Sequence, residues 1–333
     1  MSADPQMQAV LDAFAAFKAP PPNTVPVDVA RRGPTPADAV KTVLVAQGKD
    51  PAPQPVGTVR DLMIPGPVDD IQARCYVPDG DGPFPILVYF HGGGWVIADL
   101  DTYDSSARAL SVAAGCIVVS CHYRQAPEHP YPAAHEDAVA ATRWVMQHAT
   151  ELGGDPARVA IAGESAGGNL ATTTCLEFVQ QGWPTPIHQL LVYPVVDAAF
   201  DTPSYTEHGQ AKPLGRDLMI WFWDNYAPDE TMRREWHASP LHADLAGLPP
   251  ATVVLAEIDP LCSEGEAYAA RLREAGVDVR ARRFDGVAHE FFGMGAVVDK
   301  AKEAVDFAAA GLRESFDQPQ PSGPSTIAAT GRT

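Results

Sequence analysis

The chain has no apolar run of the roughly 18 residues that a membrane-spanning helix requires. Basic charge is scarce: 24 Lys and Arg stand against 42 Asp and Glu, a formal net charge of −18. That balance argues against nucleic acid or an anionic membrane surface as a partner. Cysteine is sparse and unpatterned. The five are Cys75, Cys116, Cys121, Cys175 and Cys262, an odd number with no C-x-x-C pair. Cys116 and Cys121 end one strand-like run, too far apart in an extended chain to bridge easily. Buried free thiols in a reducing compartment are the expectation. No cluster has metal-ligand spacing. The N-terminus lacks a charged stretch followed by an apolar core, so no signal peptide is expected and the cytoplasm is the expected location. No G-x-G-x-x-G or G-K-S/T pattern offers a phosphate cradle, and there is no internal repeat. Neither a cofactor nor a metal is expected.

The chain does hold 333 residues, 46% hydrophobic and 20% charged, as in a soluble globular protein with one sizeable core. Two short stretches carry most of the chemistry. Gly163-Glu164-Ser165-Ala166-Gly167 follows the strand-like run Arg158–Ala162 and precedes a helical pattern. This is a G-x-S-x-G nucleophile elbow: strand, sharp turn, helix, with serine at the apex. Side chains at Gly163 and Gly167 would collide with neighbouring backbone. The second stretch, His91-Gly92-Gly93-Gly94-Trp95, follows the apolar run Pro85–Phe90. Bare glycine amides there can approach a developing oxyanion. The expected donors are the N–H groups of Gly92, Gly93 and Ala166. A flexible glycine loop is the plainer reading of His91–Trp95, but the elbow downstream favours the oxyanion role.

A serine nucleophile needs a base, and the base needs an orienting carboxylate. In a fold with this elbow the chain order is serine, acid, histidine. His188 comes too early, and His208, His237 and His242 lie in or beside a Trp-rich excursion. His289 sits in a late loop after the run Val277–Phe284, where the base belongs. Asp259, at the exit of the run Ala251–Ala256, is the expected acid, with Glu257 and Asp285 as competitors. A solvated carboxylate is the plainer reading for each of the three.

At this point the chain resembles the bacterial hormone-sensitive-lipase-like esterases of the α/β-hydrolase superfamily. The resemblance rests on His91–Val96, on Tyr123-Arg124-Gln125-Ala126-Pro127-Glu128 and the residues to Ala134, on the elbow, on Asp259-Pro260-Leu261 and on Glu264–Ala269. It spans roughly residues 55 to 315. It implies an α/β fold, a mostly parallel sheet flanked by helices, with a helical cap. It also implies carboxylester hydrolysis with Ser165, Asp259 and His289 as the triad, a small-molecule ester as substrate, and a homodimer through an edge strand near residues 277–284. Glu164 departs from the family's usual Asp or Thr, Gln125 from its leucine, and Ile258 from a common aromatic. None of these removes a catalytic group. Hydrolysis of an amide, lactone or carbamate stays open, as does a non-catalytic receptor on the same scaffold.

The chain divides into an N-terminal cap segment (1–50), a first catalytic stretch (51–199), a cap insertion (200–238), a second catalytic stretch (239–317) and a tail (318–333) expected to be disordered. Met7, Val10, Leu11, Phe14, Ala15 and Phe17 form an apolar stripe at helical spacing, and Thr35-Pro36 starts a second helix. An antiparallel pair is expected between Val56 and Tyr76. Further strands are expected near 84–90, 115–121, 158–162, 188–193, 251–256 and 277–284, and further helices near 103–114, 133–149, 165–180, 263–275 and 299–315. Trp95, Trp221 and Phe222 are candidates to line an acyl pocket.

Overall fold

The computed structural model describes residues 2–318. Eight strands form one sheet in the order β1-β2-β4-β3-β5-β6-β7-β8. They are β1 (Thr58–Ile64), β2 (Ile71–Val77), β3 (Phe84–Phe90), β4 (Ile117–Cys121), β5 (Gly154–Glu164), β6 (Gln189–Val192), β7 (Ala251–Ile258) and β8 (Val279–Ala288). β2 runs antiparallel to both β1 and β4, and every other pairing is parallel. The edge strand β1 is largely exposed, whereas β4 is buried throughout. Continuous apolar runs are what a parallel strand needs when helices cover both its faces.

The helices are α1 (Pro5–Ala16), α2 (Val27–Ala30), α3 (Pro36–Ala46), α4 (Asp104–Ala114), α5 (Ala133–Gln147), α6 (Ala166–Gln180), α7 (Pro203–His208), α8 (Arg216–Tyr226), α9 (Glu230–Arg233), α10 (Cys262–Glu274) and α11 (Asp299–Asp317). Strand alternation sorts the core into two layers. Ile86, Val88 and Phe90 share one layer with α5, α6 and α10, while Leu87 and Tyr89 share the other with α4 and α11. The second layer also takes Met7 and Val10 of α1 and Val40 and Val43 of α3. α3 starts where expected, with Thr35 and Asp38 forming a reciprocal capping box and Pro36 in the first turn.

The order of the sheet fixes where chemistry can occur. From β3 the chain moves to β4 on one side, then crosses to β5 on the other. The loops leaving β3 and β5 therefore diverge at a topological switch point, where open α/β sheets leave a crevice. α7, α8 and α9 fill the excursion between β6 and β7, and α8 packs against the turn at Pro22–Thr24.

Four expectations need adjustment. The last strand, expected near 277–284, runs on to Ala288, so Asp285 and Gly286 lie in β8 and not in a loop. The N-terminal stripe outruns its helix: α1 ends at Ala16, and Phe17 lies beyond it and is exposed, edge-on to Phe14. The strand before the elbow is longer than 158–162, because Gly154 already pairs with Phe84. Trp95 is wholly buried, with its ring stacked 3.9 Å from that of Tyr226, so it joins the loop to α8. The expectation for the tail lies outside the described residues beyond Gln318.

Candidate active site

Ser165 stands at the end of β5 with φ 57° and ψ −118°. That left-handed conformation is rare outside glycine and signals local strain. The strain is held by pairing on both sides: Ser165 N donates to Val192 O (2.9 Å) and Val195 N to Ser165 O (3.2 Å). The flanking glycines are compelled by space. A Cβ on Gly163 would lie 2.0 Å from Gly167 O, and one on Gly167 2.0 Å from Phe90 O. Six described non-glycine residues have positive φ. Five of them (Trp95, Ala98, Ser165, Tyr193 and Glu290) sit in loops leaving β3, β5, β6 and β8, at one edge of the sheet.

His289 follows β8 directly, and its Nε2 lies 3.1 Å from Ser165 Oγ. Its Nδ1 lies 2.7 Å from Asp259 Oδ2. A carboxylate can only accept, so Nδ1 carries the proton and Nε2 is free to accept from the serine hydroxyl. Asp259 leaves β7, is fully buried, and takes Leu261 N on its other oxygen (2.9 Å). Burial disfavours the imidazolium, but the charge and hydrogen bond of Asp259, then the charges of Glu290 and Glu164, outweigh it. The pKa of His289 is accordingly raised above that of an ordinary histidine. The competing carboxylates are engaged elsewhere: Glu257 accepts Gly286 N (2.6 Å), and Asp285 pairs with Arg283 (3.1 Å).

The glycine loop is held by its carbonyls. His91 Nδ1 donates to Gly92 O (2.7 Å), and Tyr123 Oη donates to His91 O (3.0 Å). His91 has already used its Nδ1 proton, so its Nε2 accepts from His122 Nδ1 (2.9 Å). Burial, followed by the charge of His122, lowers the His91 pKa to about 3, which keeps the ring neutral. In a trans peptide C=O and N–H point opposite ways, so clamping Gly92 O fixes the direction of Gly93 N–H. Among the described residues none accepts a hydrogen bond from the amides of Gly92 or Gly93. Ala166 N heads α6, where the first-turn amides lack helical partners and the dipole favours an anion. Gly93 has φ 99°, and a Cβ there would lie 2.2 Å from Ile97 O.

The pocket candidates differ in placement. A Cβ on Gly94 would lie 2.2 Å from the Phe222 ring, so Phe222 caps the glycine loop directly. Trp221 is partly buried beside Phe222, with ring centroids 5.3 Å apart.

Sequence reasoning missed what lies behind the elbow. Glu164 is buried, and its two carboxylate oxygens accept from Tyr89 Oη (2.6 Å) and Tyr193 Oη. Burial raises its pKa to about 7, against the opposing hydrogen bonds of Ser106, Tyr193 and Tyr89. Tyr103 Oη donates to Glu290 (2.6 Å). Only the glutamate beside the nucleophile gave a signal, as a departure from the family pattern. Among the described residues no group of His, Cys, Asp and Glu is arranged to hold a metal ion, and no helix is long and apolar enough to cross a membrane.

Residues 87–293 match the Abhydrolase_3 family, described as an alpha/beta hydrolase fold. The chain is 44% identical over 253 residues to the carboxylesterase NlhH of Mycobacterium tuberculosis, covering 74% of this chain and 79% of that one. It is 37% identical over 240 residues to an ethyl acetate hydrolase of Pseudomonas putida, covering 71% and 76%. A solved hyperthermophilic esterase of Pyrobaculum calidifontis superposes with a TM-score of 0.85 at 36% identity, covering 94% of this chain and 99% of that one.

Proposed function

The chain belongs to the α/β-hydrolase family, in its hormone-sensitive-lipase-like branch, and is a carboxylic ester hydrolase; from that premise we propose that Ser165, His289 and Asp259 are its catalytic triad, with Gly92, Gly93 and Ala166 as the oxyanion donors. The observation that carries this reading is the continuous path from Ser165 Oγ through His289 to Asp259 Oδ2, at 3.1 and 2.7 Å.

His289 Nε2 takes the Ser165 proton as Oγ attacks the ester carbonyl. The Gly92, Gly93 and Ala166 amides meet the tetrahedral oxyanion. The imidazolium then gives its proton to the departing alkoxide, which leaves as the alcohol. Water repeats the sequence on the acyl-enzyme: its proton passes to Nε2, its oxygen bonds the acyl carbon, and Ser165 recovers the proton as the acid leaves. Ester and water alone balance the reaction.

The substrates are short- to medium-chain acyl esters. α8 supports this, because Phe222 closes over Gly94 while Trp223 and Tyr226 pack on Trp95. The relative named for ethyl acetate hydrolysis points the same way. The N-terminal segment and the insertion at 200–238 form the cap, supported by the packing of α8 on Pro22–Thr24. Five buried free thiols fit a reducing cytoplasm. β8 has one neighbour in the sheet, which leaves an edge for a homodimer.

A fluorophosphonate probe tests the core of the proposal. It should label the protein once, at Ser165, and Ser165→Ala should cost on the order of a million-fold in kcat. Labelling elsewhere, or a tenth of the wild-type turnover surviving in Ser165→Ala, would refute the triad.

A further inference from the structure

Behind Ser165 and His289 lies a second set of titratable groups that the steps above leave unused. We propose that Glu290 and Glu164, held by Tyr103, Tyr89 and Tyr193, form a two-carboxylate positioning network that sets the pH at which His289 becomes a working base. The proposal rests on the triad reading of the preceding subsection.

The geometry begins with Glu290. Its Oε1 lies 3.9 Å from His289 Nε2, the nitrogen that handles the serine proton. Glu290 has φ 72°, an unfavourable left-handed backbone for a residue with a long side chain. That turn brings the side chain back toward the histidine it follows, and Tyr103 Oη fixes the same oxygen at 2.6 Å. Glu164, the residue before Ser165, completes the set. Its carboxylate turns away from the nucleophile toward Tyr89 and Tyr193, and the Tyr193 ring lies 4.5 Å from that of His289. The titratable groups around the histidine thus come from every neighbouring element: Asp259 after β7, Tyr89 on β3, Glu164 on β5, Tyr193 after β6, Tyr103 before α4, and Glu290 itself. Burial pushes the tyrosine pKa values up, so the phenols stay neutral. The charges acting on His289 are those of Asp259 and Glu290, whose own pKa burial raises, joined by Glu164 as pH rises through about 7.

An ionised carboxylate beside the imidazole favours the protonated form. His289 therefore keeps its proton to a higher pH, and the base form is lost sooner on acidification. The same negative charge stabilises the imidazolium that forms in each transition state, which assists the chemical steps. Burial raises the pKa of Glu164 to about 7, inside the pH span over which the enzyme would be assayed. The acid limb of activity then belongs to coupled groups and not to His289 alone.

The test is the pH dependence of kcat and kcat/KM for a short-chain nitrophenyl ester. It is run from about pH 5 to 9 on wild type, Glu290→Gln and Glu164→Gln, with folding followed by circular dichroism. In Glu290→Gln the acid midpoint of kcat/KM should fall by about one pH unit, the plateau kcat should drop several-fold, and KM should hold. Glu164→Gln should lower the midpoint and leave a simple one-proton limb. A purely structural role would lower the plateau and leave the midpoint in place. An unmoved or raised midpoint in Glu290→Gln overturns the network. Glu290 is partly exposed, so its substitution decides the matter even if Glu164→Gln does not fold. Fluorophosphonate labelling of the wild type separates the two readings: no label at Ser165 removes the triad, whereas a label with an unmoved midpoint removes the network alone.

Discussion

Asp259 and Glu257 are two residues apart, yet their surroundings give them different work. Asp259 meets His289 Nδ1 at 2.7 Å, while Glu257 takes the amide of Gly286 at 2.6 Å. Asp259→Asn should leave His289 misoriented and cost roughly 10⁴-fold in kcat. Glu257→Gln and Asp285→Asn should cost far less, and steady-state kinetics showing the reverse order would move the acid. Glu164 offers a second residue-level test. Its folded pKa of about 7 lies above the ordinary 4.5, so the folded state holds a proton that the unfolded chain has released. The stabilising contribution is full below 4.5 and is lost as pH rises through about 7. It amounts to on the order of 3 kcal/mol. Glu164→Gln, neutral at every pH, should therefore gain in Tm relative to wild type between about pH 5 and 8. A difference that stays flat or shrinks would mean that burial does not raise this carboxyl. Ser165, Asp259 and His289, which the structure links by hydrogen bonds, each sit in a short local sequence pattern. The tyrosines around Glu164 and Glu290 could not be found that way, because they come from β3, the loop after β6 and the start of α4, and only the folded sheet brings them together.

At the level of elements, the parallel strands and their helices were readable because buried strands are apolar throughout and the intervening helices carry caps and breaks. The excursion between β6 and β7 was not readable in that way. α7 and α9 are six and four residues long, too short to show a period, and α9 buries none of its side chains. The role of α8 was hidden for a different reason: Phe222 is fixed by a glycine 128 positions earlier, where any Cβ would strike its ring. Phe222→Ala should open space over the glycine loop. The expected stability loss is about 3–5 kcal/mol, as for other buried phenylalanines. The acyl-chain optimum should move to longer chains, since each methylene that finds room adds about 0.8 kcal/mol of burial. Rates over an acyl series would measure this. A folded Phe222→Ala with an unchanged optimum would show that the ring does not close the acyl pocket.

For the whole molecule, the question is whether the first 45 residues are a lid on a finished domain or part of the domain itself. The segment proposed above as part of a cap is packed into the core. Met7, Val10, Ala39, Val40, Val43 and Leu44 are all buried in the layer shared with α4 and α11. Burying large apolar side chains is worth about 1.5–3 kcal/mol each, and a domain's net stability is only about 5–15 kcal/mol. Deleting residues 1–45 should therefore leave no cooperative thermal transition, and loss of activity in that protein would say nothing about a cap. Arg31 separates the two roles. It is partly exposed, and it donates to Val96 O (2.8 Å), to Ala126 O (2.9 Å) and to Glu128 (2.7 Å). It thereby ties the N-terminal segment to the chain just beyond the glycine loop without filling the core. Arg31→Ala should lower stability by only about 1–3 kcal/mol, from its lost charged hydrogen bonds. If the segment closes over the site as proposed, loosening it should lower kcat/KM and broaden the preference among acyl chains. Calorimetry and an acyl series on the same preparation would read both effects. A folded Arg31→Ala with wild-type selectivity would assign the N-terminal segment to stability alone and leave substrate size to α8.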